Sequence, residues 1–157
     1  MRTLVFGIGN PILSDDGVGI YVAREIKKRL SSDISQFKDV DVEEGSVGGL
    51  KLLDTILGYE RVILIDAIMT EGGSPGDIYT LSLDNFVDTL HISSPHDLNF
   101  ATAIDLGRTN TPELMPDEIK IYAIEVKTVD IFSEELTEEL GGTVSEVVEM
   151  VINDLKN

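Results

Sequence analysis

No cysteine occurs among the 157 residues, which removes disulfides, thiolate nucleophiles and thiolate metal sites together. Any metal ligand must be Asp, Glu or His. Histidine is itself scarce: the chain has two, His91 and His96, and none in its first ninety residues. Positive charge is short as well. Twelve Lys and Arg stand against 29 Asp and Glu, a net charge of −17, which repels nucleic acid phosphates and anionic membrane surfaces and suits basic or cationic partners. No apolar run approaches the ~20 residues of a membrane span. The chain opens directly on an apolar strand, so neither a signal peptide nor an anchor is read, and a cytoplasmic location is expected. What is present is 42% hydrophobic residues, sufficient for a single domain over residues 1–157 with a core that needs no staples.

The most informative stretch is Thr3 to Gly19, TLVFGIGNPILSDDGVG. Thr3 to Ile8 is apolar almost throughout and rich in β-branched residues, the pattern of a strand covered on both faces. Gly7, Gly9 and Asn10-Pro11 form the exit, and Ser14 is read as the N-cap of a helix with Asp15 and Asp16 in its first turn. Asp15 is read only as a capping carboxylate. Asp16 is singled out because Gly17 and Gly19 follow it, each costing about 1 kcal/mol relative to alanine inside a helix, which implies a close approach to the backbone. A dinucleotide site is disfavoured. GIGNPI lacks the third glycine of G-x-G-x-x-G, no Walker lysine follows, and two carboxylates would repel a pyrophosphate.

Further along, Val18, Val22, Ile26 and Leu30 recur every fourth residue as in an amphipathic helix, with Lys27 to Arg29 closing it. Val40 to Glu43 reads as an edge strand, and Val47 to Leu57 as a helix ended by Gly58. Arg61 to Ile68, RVILIDAI, is a second continuous apolar strand, with Asp66 interrupting its C-terminal end. Asp77 to Leu83 alternates and predicts an antiparallel strand. Ser94-Pro95-His96-Asp97 combines an N-cap serine, an N1 proline and an S-x-x-D box, which places His96 in a helix first turn where the dipole favours the neutral, metal-binding imidazole. His91 has no such frame and reads as a surface-loop residue. Gly107 to Asp117 reads as a polar loop, Glu118 to Val126 as the last strand, and Ser133 to Leu140 and Thr143 to Leu155 as helices, the second opened by a T-x-x-E box at Thr143 and Glu146.

This order predicts an α/β fold, a three-layer sandwich with a mostly parallel twisted sheet of about five strands and helices on both faces. If the Val40 strand flanks the first strand on one side and the Asp66 strand flanks it on the other, the carboxyl ends of those strands border a switch point where ligands bind. Asp16 and Asp66 fall there, and a helix start carrying His96 can complete the cluster. Two carboxylates and one imidazole form an O,O,N set able to contact Ni, Zn, Mn or Fe with positions left open.

The segments GIGNPILSDDGVG, EGSVGGLKLL, VILIDAI and SPHDL, in this order and spacing, resemble the hydrogenase maturation proteases over essentially the whole chain. That resemblance implies a phosphorylase/hydrolase-like fold and an endopeptidase that trims the C-terminus of the large-subunit precursor of [NiFe] hydrogenases. It places the nickel-contacting positions on Asp16, Asp66 and His96, and these same residues are the catalytic candidates. It also implies that nickel is supplied by the precursor, with no permanently bound metal. Glu44-Gly45-Ser46-Val47 departs from the D-G-G/C-T pattern of the family. Two other readings remain open on the sequence: a nickel-dependent chaperone or binding module that cleaves nothing, and a peptidyl-tRNA hydrolase-like esterase, whose G-x-G-N-P start is similar.

Overall fold

A computed structural model describes residues 1–46, 49–83, 95–127 and 132–157, with side chains for all of these except 49, 50 and 95–101. The elements are β1 (Thr3–Ile8), α1 (Val18–Leu30), β2 (Val40–Gly45), α2 (Gly49–Ile56), β3 (Arg61–Ile68), β4 (Ile78–Ser82), α3 (Pro95–Asn110), β5 (Glu118–Glu125) and α4 (Thr143–Lys156). All five strands join one sheet in the order β2-β1-β3-β5-β4. Only β4 runs antiparallel, paired with β5. The edge position expected for the Val40 strand and the β2-β1-β3 arrangement expected around the first strand are both present.

Alternation along the strands divides the core into two layers. Leu4, Phe6, Val62, Leu64, Ile121 and Ala123 face α2 and α3 through Leu52, Ile56, Ala103 and Ile104. Val5, Ile63, Ile65, Tyr122 and Ile124 face α1 and α4 through Val18, Val22, Ile26, Val147 and Val151. Because both faces of β1 and β3 are covered, their sequences carry no polar alternation, which is why these two strands begin and end where the apolar runs do.

Several expected boundaries move, each for a local reason. Gly107 belongs to α3 and does not open a loop, since a Cβ there would lie 2.6 Å from Met115 Sδ and 2.7 Å from Leu53 Cδ1. Its absence lets the helix pack tightly, and only residues 111–117 remain between α3 and β5. Ser133 to Leu140 is not a helix beyond a 3-10 turn at Glu138–Leu140. Its backbone is committed elsewhere: Leu13 and Ser133 form a parallel bridge. The T-x-x-E box does not form at α4, whose N-cap is Gly142 with no side-chain bond. The Thr143 hydroxyl instead donates to Gly76 O at 3.4 Å. Val47, Gly48, Asp84 to Ser94, including His91, and 128–131 lie outside the described residues. Among the described residues no helix is long and apolar enough to cross a membrane.

At the amino-terminal edge of the sheet, one carboxylate gathers three donors. Asp154 of α4 accepts from Arg61 Nη2 at 2.7 Å, Lys120 Nζ at 2.6 Å and Tyr122 Oη at 2.8 Å. Burial opposes ionisation of Asp154, but the hydrogen bonds from Lys120, Tyr122 and Arg61 outweigh it and hold its carboxyl below the usual range. Asp154→Ala should lower stability by about 2–3 kcal/mol in urea unfolding at pH 7, less than for a wholly buried pair because Lys120 keeps some solvent. The folded pKa is depressed, so the contribution is present above the ordinary Asp value of about 3.9 and disappears as pH falls through the lower folded value. The stability curves of wild type and variant should therefore converge only below about pH 4.

Candidate active site

The opposite, carboxyl-terminal edge is built by the loop after β1. Ser14–Gly17 forms a 3-10 turn, and α1 begins only at Val18. The turn packs against β3, and it does so because Gly19 offers no side chain where the carbonyl oxygens of Ile8 and Ile65 approach it. The close approach implied by the two glycines is thus made by the protein itself, by the main chains of β1 and β3 at Gly19 and by Asn10, Pro11 and Tyr21 at Gly17. Asp16 is delivered beside the end of β3 as a result. Its Oδ2 accepts the backbone N–H of Asn10 at 2.9 Å, which fixes the carboxylate over the β1 exit.

Asp66 lies in β3 one residue past the last β1–β3 pair, Gly7 with Ile65. Alternation puts it on the same sheet face as Leu64 and Ile68, the face covered by α2 and α3. Oδ1 accepts the N–H of Ala67 at 2.8 Å. Both carboxylates are half-buried. Each is oriented by a backbone donor and stays within reach of the edge.

His96 is the second residue of α3, and Pro95 is the first, as the sequence predicts. The far end of α3 returns to the sheet edge where β5 starts, since Leu114 O accepts from Gly58 N and Glu60 O accepts from Asp117 N. The helix has 16 residues and is about 24 Å long. The His96 side chain is not among those described. Among the described residues no group of three or more His, Asp or Glu side chains could hold a metal.

Ser14 does not act as an N-cap. Its φ is +44°, a left-handed conformation that costs roughly 1–2 kcal/mol for a residue with a Cβ. It is held there by the segment that follows β5: Ser14 N donates to Ser133 O at 2.8 Å, Ser14 Oγ to Glu135 O at 3.0 Å, and Ser133 N to Ile12 O at 2.8 Å. Asp15 is wholly buried and completes this strap without capping its own turn. Its two oxygens accept the Thr137 N–H and the Thr137 hydroxyl, both at 2.8 Å. The edge also leaves apolar side chains in water, with Phe132 82% exposed beside Ser133 and with Ile12 and Met69 exposed as well. Arg24 grips Glu44 with three hydrogen bonds of 2.9–3.0 Å, which raises the guanidinium pKa.

The family described as HycI, hydrogenase maturation protease, matches residues 20–154. The chain belongs to the hydrogenase maturation proteases. Hydrogenase 2 maturation protease of Escherichia coli (strain K12) is 30% identical over 111 residues, covering 69% of this chain and 64% of that protein. The chain therefore spans slightly less than two thirds of that relative. The [NiFe] hydrogenase maturation protease HybD from Thermococcus kodakarensis is 26% identical, with a TM-score of 0.77 over 99% of this chain and 100% of that one. The hydrogenase maturating endopeptidase HybD from E. coli superposes with a TM-score of 0.83 over 99% and 93% of the two chains, and at 21% identity it supports the fold alone. The expected α/β architecture is that of this family.

Two carboxylates at this edge had no functional signal in the sequence, Asp15 in its strap and Glu125 at the end of β5. For the strap, Asp15→Ala should cost about 3 kcal/mol, because a buried N–H and a hydroxyl lose their acceptors. Asp15→Asn should cost less than half of that, since its amide can accept from the Thr137 N–H and donate to the hydroxyl. Urea unfolding of the two variants compares them directly, and equal losses would show that the strap is not held by these bonds.

Proposed function

We propose that this maturation protease family member is an endopeptidase that removes the C-terminal extension of a nickel-loaded [NiFe]-hydrogenase large-subunit precursor. The observation that carries the reading is the pair of oriented carboxylates at the carboxyl ends of the adjacent strands β1 and β3, in a chain of this family. Asp16, Asp66 and His96 contact nickel that the precursor already holds. The nickel is part of the substrate, and the protein needs no resident metal. A net charge of −17 favours approach of a substrate that presents a cation. Exposed Phe132, Ile12 and Met69 along the same edge suit contact with a protein surface more than with a small solute. A cytoplasmic location belongs to the same reading.

Chemically, water adds to the scissile carbonyl, the tail nitrogen takes a proton and leaves, and the shortened subunit keeps its nickel. A carboxylate of the pair serves as base, and the nickel polarises the bond it adjoins. Shared coordination explains how cleavage becomes conditional on metal insertion. Three ligands without a thiolate retain a free ion weakly, whereas an ion already anchored in the precursor can complete its shell here. The alternative of a binding module with the same ligands differs in one outcome, an intact precursor in a stable complex.

Incubation with nickel-loaded precursor should yield a shortened large subunit by mass spectrometry, and nickel-free precursor should stay uncut. Asp16→Asn, Asp66→Asn and His96→Ala should each reduce cleavage by more than about a hundredfold, beyond the ten- to hundredfold typical of losing an outer-sphere partner. Asp16→Asn should keep the native circular dichroism, because its amide oxygen can still accept from Asn10 N–H. Equal processing of nickel-free and loaded precursor would refute the shared-coordination reading.

A further inference from the structure

Glu125 ends β5 on the sheet face that carries Asp66, in register with Ile68 of β3. It is 1% exposed. Among the described residues, every hydrogen bond to its carboxylate comes from an uncharged donor: Thr70 N at 2.8 Å, the Thr70 hydroxyl, and Tyr79 Oη at 3.2 Å. Gly73 closes over it with no room for a Cβ between Glu125 Oε1 and Thr70 Oγ1. Burying a carboxylate against neutral donors is costly. The main chain of the same residue holds the other end of the loop, with Gly76 N donating to Glu125 O at 2.9 Å and Glu125 N to Asp77 O at 2.8 Å. Val126 N bonds Ile68 O at 2.9 Å and secures the last turn of the register.

We infer that Glu125 is a positioning residue for the proposed cleavage: it clamps both ends of the Met69–Asp77 loop and thereby fixes the exit of β3, on which Asp66 stands four residues before Thr70. The inference rests on the endopeptidase reading for its effect on rate and on geometry alone for its effect on the loop. Glu125 does not reach the substrate. It acts by holding the backbone that aims Asp66.

Glu125→Gln can satisfy the same partners, its oxygen accepting from Thr70 N–H and its NH2 donating to the two hydroxyls, which also accept. Glu125→Leu keeps the volume and removes every bond of the carboxylate, leaving the main-chain bonds to Gly76 and Asp77 in place. On loaded precursor, the Leu variant should lose at least tenfold in kcat with KM within about threefold, a 1 Å displacement being worth up to about a hundredfold. The Gln variant should stay within about threefold of wild type in both constants. The double variant Thr70→Val, Tyr79→Phe attacks the clamp from the loop side and should fall with the Leu variant, so the result does not depend on one fold-sensitive change. Native-state hydrogen exchange on the free proteins gives a readout without substrate. The amide of Thr70 should exchange at least tenfold faster in Glu125→Leu and in the double variant, and at the wild-type rate in Glu125→Gln. Unchanged exchange in both loosened variants, full activity in them, or loss of activity in Glu125→Gln would overturn the clamp. Wild-type protein that leaves loaded precursor intact would instead reject the endopeptidase reading, with the exchange result still deciding the loop.

Discussion

The contact on which the rest of the site depends is the seating of Gly19 against the carbonyl oxygens of Ile8 and Ile65. A helix that follows a strand normally stands off by the depth of its side chains, with interaxial spacing set by what lies between. Here the first turn of α1 touches the backbone of two strands at once. This brings the preceding turn, and Asp16 with it, against β3 and not out into solvent. The cost of a glycine in the helix is about 1 kcal/mol, and it is offset by the apolar packing of Val18, Val22 and Ile26 on the same face.

Once that turn is fixed, the two neighbouring aspartates must point apart, and their surroundings assign them different work. Asp15 turns inward, where an ionised group survives only if its acceptors are filled, and Thr137 fills both. Asp16 turns to the edge, where Asn10 N–H donates to its carboxylate. The left-handed Ser14 precedes both, held by carbonyls of a segment more than a hundred residues away. A local rule for helix starts sees Ser-Asp-Asp and reads a cap. The long-range strap overrides it.

That override marks the limit of what the sequence discloses. β1 and β3 are legible because burial on both faces writes an unbroken apolar run, and a charge inside such a run, Asp66, stands out at once. The glycines after Asp16 report tight packing, and the structure identifies the neighbours as the Asn10-Pro11 loop for Gly17 and the main chains of β1 and β3 for Gly19. By contrast, Ser133 to Leu140 carries helix-forming residues whose backbone groups are claimed by the β1 loop, a partner no window of sequence contains. Thr143 fails as a cap because it is already the first residue of α4, and the N-cap position falls on Gly142. Glu125 is invisible for the opposite reason: at the end of an alternating strand an acidic residue reads as a wet terminus, and only the folded Thr70–Gly73 loop buries it. The place of His96 in its helix follows from Pro95, and what the imidazole meets lies beyond the described side chains.

The two edges of the sheet are also electrically unlike, and the difference bears on what can bind. At the amino-terminal edge Arg61 and Lys120 converge on Asp154 with Glu118 nearby, so positive and negative charges cancel within one cluster. At the carboxyl-terminal edge Asn10 N–H donates to Asp16, Ala67 N–H to Asp66, and the Thr70 N–H and Tyr79 hydroxyl to Glu125. Arg24, the basic side chain beside β2, is already engaged by Glu44. A hydrogen bond from a neutral donor orients a carboxylate without neutralising it. On the reading proposed above, carboxylates oriented in this way are what a cation carried by the precursor would meet, and only while the two proteins are docked.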